Sequence, residues 1–207
     1  MLELFLSSFI TLFVVIDPPG CAPIYAGLSH GASPHQRRSM AVRATMIATL
    51  ILLGFALVGE KLLGALHIEL DSFRIAGGLM LFLIALDMVF EKRTQRREER
   101  AEKIMATPEV EDVSVFPMAM PMMAGPGAIA SIMLLAGGAQ GIEGTLTVLA
   151  ALGSVMLLTL LALLAAGPLM KMLGSSVEAV ITRLLGVLLG ALAAQYVLDG
   201  LRGSFGI

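Results

Sequence analysis

Long apolar runs alternate with short polar ones along this chain. Six runs, at positions 2–28, 41–59, 72–90, 113–137, 145–166 and 177–198, carry few charges. Each approaches the roughly 20 residues that a helix needs to cross about 30 Å of hydrocarbon. The pattern predicts an all-α membrane protein with six transmembrane helices. The polar stretches between the runs are short except one, EKRTQRREERAEKIMATPEVED at 91–112. It predicts a charged linker between two three-span units, 1–90 and 113–207. The N-terminal run has no basic region before it and no small-residue cleavage site after it. It therefore reads as a first span rather than a removed signal peptide.

The two units resemble each other. Displaced by 107 positions, FITLFVVIDPPG (9–20) falls on FPMAMPMMAGPG (116–127), aligning Phe9 with Phe116, Pro19 with Pro126 and Gly20 with Gly127. Displaced by 109, RIAGGLMLFLIALDMV (74–89) falls on RLLGVLLGALAAQYVL (183–198), aligning Arg74 with Arg183 and Gly77 with Gly186. Three spans per unit is an odd number, so the second unit enters the membrane from the opposite side. The prediction is an inverted repeat, with its paired Gly/Pro interruptions marking a transport site.

Those interruptions are specific. In Asp17-Pro18-Pro19-Gly20 two prolines remove backbone donors and clash with the preceding turn. The first helix should stop near Ile16–Asp17, with Asp17 as N-cap and Pro18 as first residue of a second half-helix. Gly125-Pro126-Gly127 should break the fourth span likewise, with Pro117 and Pro121 loosening the turns before it. Both breaks are expected near the midplane. Each creates a half-helix N-terminus that attracts anions, and broken backbone persists at membrane depth only beside protein or a wet cavity.

Composition agrees with the span count. Of 207 residues, 57% are hydrophobic and 14% charged, against about 45–50% and 25% in soluble domains. The mean hydropathy is +0.89. No basic block interleaved with aromatics suggests nucleic acid. The only cysteine, Cys21, excludes an internal disulfide. Arg37, Arg38 and Arg43, the linker's Lys92, Arg93, Arg96, Arg97, Arg100 and Lys103, and Lys171 in a predicted fifth loop would share one face. Lys61, Arg74 and Arg202 would sit on the other. The positive-inside rule makes the first face cytoplasmic and both termini external.

Ionisable groups at membrane depth are functional candidates. Asp17 is the first of them, suited to an amino group, a coupling cation or a titrating proton. Asp87, near the cytoplasmic end of the third span, could pair with Arg93 or Arg43. Arg74 and Arg183 head the third spans and are candidates for pairing or gating. Among Thr11, Thr45, Thr49, Ser131 and Gln195, Ser131 stands out, one turn past the second break. Gly186-x-x-x-Gly190 is a small-residue face for packing within the chain or between copies, so a homo-oligomer fits. PMAMPMM (117–123) resembles a methionine metal box, but methionine more often fills gaps, and His30, His35 and His67 lie elsewhere. No hydrolase or metalloprotease motif is present. No enzyme activity and no cofactor are expected, apart from coupling to H+ or Na+.

VVIDPPGCAP (14–23), RIAGGLMLFLIALDM (74–88) and FPMAMPMMAGPGAI (116–129) together resemble the MarC family of bacterial inner-membrane proteins. The resemblance covers essentially the whole chain. It implies six spans and substrate handling at the two Pro-Gly breaks, and some relatives are described as transporters of small neutral amino acids such as glycine, alanine or threonine. Asp17, Pro18, Gly20, Gly125, Pro126 and Gly127 match these motifs directly. Relatives often carry Asn where this chain has Cys21, which bears on selectivity. The expected ligand is a small zwitterion, its carboxylate on the N–H groups of Gly20–Cys21 and Gly127–Ala128 and its amine on Asp17. A channel or permease for another small polar solute or ion, and a nontransporting scaffold whose linker recruits partners, are the alternative classes.

Overall fold

The computed structural model describes residues 1–90 and 112–206, with the side chains of 168–179 outside the description. Apart from Asp112, the predicted linker therefore lies outside the described residues. Every element described is helical: α1 (Leu2–Ile16), α2 (Pro18–Leu28), α3 (Pro34–Ala65), α4 (Leu70–Val89), α5 (Ser114–Met123), α6 (Pro126–Gly137), α7 (Gly141–Leu164) and α8 (Ala166–Phe205). Five stretches suit a bilayer crossing: Leu2–Leu28, which joins α1 and α2, then α3, α4, α7 and Val180–Phe205. The pair α5–α6, bent by 55° at its break, makes six when it is counted as one span. The placement of these stretches follows the hydropathy pattern.

The interrupted spans form the core. Leu12, Val15, Ile16, Cys21, Ala22, Met118, Met123, Ala128 and Ile132 belong to one buried cluster. Leu79 and Leu83 of α4, Leu157 of α7, and Leu184 and Val187 of α8 instead face outward. An outer surface this apolar is a liability in water and ordinary in lipid, where the backbone is satisfied within each helix. Met118, Met122 and Met123 are buried in the cluster, filling space between irregular turns.

The larger element pairings occur in matching sets. Helix α1 packs on α7, and α5 on α3; α2 packs on α7 and α8, and α6 on α3 and α4; α3 packs on α7, and α4 on α8. The α4–α8 seam is antiparallel and rests on small residues, as membrane helix contacts commonly do. A Cβ at Gly78 would lie 2.8 Å from the Ala193 carbonyl, and one at Gly186 would lie 2.8 Å from the Met88 Cβ. A Cβ at Gly190 would meet only the Ala85 Cβ, at 3.7 Å. Gly186→Ala should therefore destabilise the protein by about 1–3 kcal/mol through overpacking, whereas Gly190→Ala should be nearly neutral. Cys21, buried and the only thiol, makes a thiol-reactive dye a suitable probe of thermal unfolding for both variants.

The start of α1 and the end of α8 lie on one face. The Thr147 hydroxyl, at the start of α7, reaches the Met1 sulfur at 3.3 Å. The α6–α7 turn is thus near the start of α1. A Cβ on Gly138, in that turn, would lie 3.9 Å from the Arg74 guanidinium, and one on Gly200, near the end of α8, would lie 3.1 Å from the Arg74 Cβ. The opposite face gathers the α2–α3 turn, Asp112 and the α7–α8 junction. One local expectation is corrected there. The drop in hydropathy predicts a loop at Lys171, but α7 gives way to α8 at the single residue Ala165, and α8 then runs unbroken for 40 residues. Gly167-Pro168 falls in the first turn of α8, where a missing N–H is tolerated, so nothing ends the helix.

On this face Arg43 pairs with Asp112 at 2.6 Å; Arg93, the other partner expected for Asp87, lies outside the described residues. Partial burial works against the charge on the Asp112 carboxyl, but hydrogen bonds from Ser114 and the Arg43 guanidinium outweigh it. Together they hold this group below the usual carboxylate range. A lowered folded-state value means the pair stabilises the fold above the ordinary carboxylate pKa and is lost as pH falls through the lower value. Both side chains are well exposed, so Asp112→Asn should cost less than about 1 kcal/mol at neutral pH. The difference from wild type should vanish in acid melts.

Candidate functional site

Asp17 joins α1 to α2 in the left-handed region, at φ 60° and ψ 65°. Aspartate is among the few residues that tolerate this conformation. As predicted, α1 stops at Ile16 and α2 starts at Pro18. The Asp17 N–H still bonds the Phe13 carbonyl, closing α1. Its Oδ1 accepts the Gly20 N–H at 3.1 Å, and its carbonyl accepts the Cys21 N–H at 3.0 Å. Asp17 thus terminates one helix and caps the next while 2% exposed. Gly20 is required at its position. A Cβ there would collide with the Asp17 carboxylate, lying 2.8 Å from its Cγ.

The second break is built differently. Helix α5 is a wide coil in which the N–H groups of Met118 and Ala124 bond carbonyls five residues back. Phe116 and Met120, each before a proline, are extended, and both Xaa-Pro bonds are cis. The pre-proline restriction explains the extended pair. Gly125, extended at ψ 171°, then leads into Pro126 at the start of α6. A Cβ on Gly125 would strike the Pro121 carbonyl oxygen, so a larger residue cannot follow this coil.

The N-terminus of α6 has no side-chain cap. Ile129 donates to the Gly125 carbonyl at 3.0 Å, and the earlier N–H groups, of Gly127 and Ala128, have no intrahelical acceptor. The two breaks are therefore not equivalent. The Pro-Gly motifs alone predict a substrate carboxylate on the N–H groups of Gly20 and Cys21 together with those of Gly127 and Ala128. The first pair is already occupied by Asp17, and the α6 end is the one that carries no cap.

The breaks lie close together. A Cβ on Gly127 would be 3.5 Å from Val15 Cγ1, two residues before Asp17, and would press on Ile84 Cδ1. Since α6 ends near the start of α1, the two helices run antiparallel, and positions beyond Gly127 on α6 run alongside positions before Val15 on α1. There lie Ser131 and Ser8, both fully buried, whose hydroxyls find no hydrogen-bond partner among the described residues. Thr11 sits on the same stretch of α1, facing the Tyr196 hydroxyl of α8. Ser131 was anticipated from its spacing to the break. Ser8 was missed, because nothing in LELFLSSFIT distinguishes a core serine from the exposed Ser7 beside it.

The remaining candidates lie away from the breaks. Arg74 pairs with Asp71 at 2.5 Å and sits near the C-terminal end of α6, about three turns from its Pro126. Asp87 is half-buried near the end of α4, and Arg183 is an exposed residue near the start of the last span. Each of these two has an interaction partner. Cys21 is buried, its thiol 3.4 Å from the Ile16 carbonyl.

Comparison with known proteins agrees with this architecture. The profile described as "MarC family integral membrane protein" matches residues 2–205. A "UPF0056 membrane protein" of Archaeoglobus fulgidus is 35% identical over 201 residues, covering 97% of this chain and 93% of the relative. YvbG of Bacillus subtilis, a UPF0056 membrane protein, is 31% identical, covering 99% and 97% of the two chains. The UPF0056 inner membrane protein YhgN of Escherichia coli K12 is 32% identical, covering 95% of each. No solved structure matches the chain. With several helices long and apolar enough to cross a membrane and a family match across residues 2–205, the chain belongs to the MarC family of integral membrane proteins.

Proposed function

We propose that this protein is a secondary transporter of small neutral amino acids, of the glycine, alanine or threonine class, in the inner membrane. The observation that carries the proposal is the pairing of unlike groups at the breaks. A buried carboxylate, Asp17, lies at one helix break, and an uncapped helix N-terminus at Gly127–Ala128 lies beside it. An ammonium group suits the first and a carboxylate the second, which is the charge pattern of a zwitterion. The Ser131 hydroxyl, one turn along α6, offers a further hydrogen bond. Val15, Leu81 and Ile84 crowd Gly127, which favours a substrate with a small side chain.

The matching helix pairings support an inverted repeat. Exchanging α1–α4 with α5–α8 converts the α1–α7 contact into α5–α3, α2–α7 into α6–α3, and α2–α8 into α6–α4. It leaves α3–α7 and α4–α8 unchanged. Two halves related in this way can rock about a midplane site, giving alternating access. Asp17 could then also bind a coupling H+ or Na+. The basic face lies inward under the charge rule, leaving both termini outside. The test is uptake of radiolabelled alanine into proteoliposomes, with competitors. Glycine and threonine should compete, and glutamate, lysine and leucine should not; equal competition by all five would refute the size and charge selection.

A further inference from the structure

A cleft of about 300 Å3 opens between Tyr25, Ser29, Pro34, Arg38, Leu163 and Gly167. It is distinct from the helix breaks. Ser29 follows the first span, Pro34 begins the second and Leu164 ends the fifth. Three span ends meeting there place the cleft at headgroup depth rather than in the hydrocarbon.

Its polar groups are mostly occupied. The Tyr25 hydroxyl donates to the Arg37 carbonyl, and the Ser29 hydroxyl donates to the Tyr25 carbonyl at 2.7 Å. The Arg37 guanidinium is held by the turn itself, donating to the carbonyls of His30 and Ala32. Arg38 differs. It is exposed on the cleft wall, with no hydrogen bond or acidic partner among the described residues. The other wall is apolar, Leu163 and Leu164, and continues onto the exposed Leu161 of the lipid-facing surface. A cation at the rim of an apolar slot that opens to lipid has the shape and charge of a phospholipid site.

We propose that this cleft binds an anionic phospholipid, its phosphate on Arg38 and an acyl chain along Leu161 and Leu164. Basic pockets between membrane helices recognise anionic headgroups, and each cation near the surface favours them about fivefold. Arg37 shapes the wall and Arg38 supplies the charge. A bilayer presents such lipids to the slot continuously, whereas a soluble phosphate would gain nothing from the apolar wall.

Native mass spectrometry of the full-length protein, taken from nanodiscs of mixed phosphatidylglycerol and phosphatidylcholine, tests this. Wild type should retain phosphatidylglycerol preferentially. Arg38→Gln should lower that preference about fivefold, while Arg202→Gln, on the opposite face, should leave it unchanged. Millimolar inorganic phosphate should not displace the lipid. Equal retention of both lipids, equal loss in the two variants, or displacement by inorganic phosphate would each overturn the assignment. Lipid retention is read without substrate, so the result is independent of the transport proposal.

Discussion

Asp17→Asn is expected to leave the fold intact and to cut alanine transport about tenfold or more. Asparagine tolerates the left-handed conformation and caps helices about as well as aspartate, so α1 and α2 should still meet at φ 60° and the Gly20 N–H should still find an oxygen. What disappears is the negative charge. A hydrogen bond to a charged group is worth about 1.5–3 kcal/mol, or roughly ten- to a hundredfold in binding. Asp17→Ala separates the two roles further. It removes the cap as well, at about 0.5–2 kcal/mol, and places an alanine in a conformation it disfavours, so it should lose stability as well as flux. Dye-monitored melting and proteoliposome uptake, measured on the same preparations, distinguish the variants. Full activity in Asp17→Asn would remove Asp17 from the mechanism.

Gly20→Ala is the second large effect, and it should damage both the fold and transport. The added methyl occupies the place of the Asp17 carboxylate. Either the carboxylate rotates away, leaving the Gly20 N–H without its acceptor, or α2 shifts against its buried neighbours. Loss of the cap alone costs about 0.5–2 kcal/mol, and overpacking adds about 1–3 kcal/mol. The Cys21 thiol, on the next residue, should react with dye at a lower temperature. Gly27→Ala is the control. A Cβ there meets nothing within 4 Å, and the residue is exposed in the same helix. Alanine should stabilise it by up to about 1 kcal/mol, with uptake unchanged. Wild-type melting and flux in Gly20→Ala would show that the carboxylate is not held as described.

Much of this architecture is legible in the sequence because prolines and charges have few options in a membrane. Asp17-Pro18-Pro19 had to end one helix and begin another, and Gly125-Pro126 had to do the same. What could not be read was how each new end would be satisfied. Aligning Gly20 with Gly127 suggested two equivalent anion sites. Yet capping depends on the residue three before the glycine, which is Asp17 in one half and Ala124 in the other. The same alignment contained the difference, but only the left-handed turn shows that the carboxylate folds back onto its own helix. The Lys171 loop failed for a simpler reason: a drop in hydropathy marks the membrane boundary, not a helix end, and α8 continues through it. The cleft beside Arg38 had no sequence signal, since Tyr25, Pro34 and Leu164 converge from three separate spans.

In the proposed carrier the two breaks would be the joints about which the halves rock. Asp17 is a single-residue joint, whereas α5 and α6 meet at a 55° bend behind an irregular coil. Rocking of the halves would expose the region around Asp17, Gly127 and Ser131 to each side in turn. Ser131→Ala should test that route at modest cost. An unpartnered buried hydroxyl contributes little to stability, so melting should change by less than about 1 kcal/mol, while the alanine KM should rise if the hydroxyl contacts substrate.

The central claim is carrier-mediated exchange of a small zwitterion at the paired breaks, and counterflow tests it most directly. Proteoliposomes loaded with unlabelled alanine are diluted into a trace of labelled alanine, and internal label is followed over time. A carrier predicts a transient accumulation that saturates with substrate, is absent from empty liposomes and is strongly reduced by Asp17→Asn. Label that only equilibrates, at a rate linear in concentration and indifferent to Asp17→Asn, would contradict it.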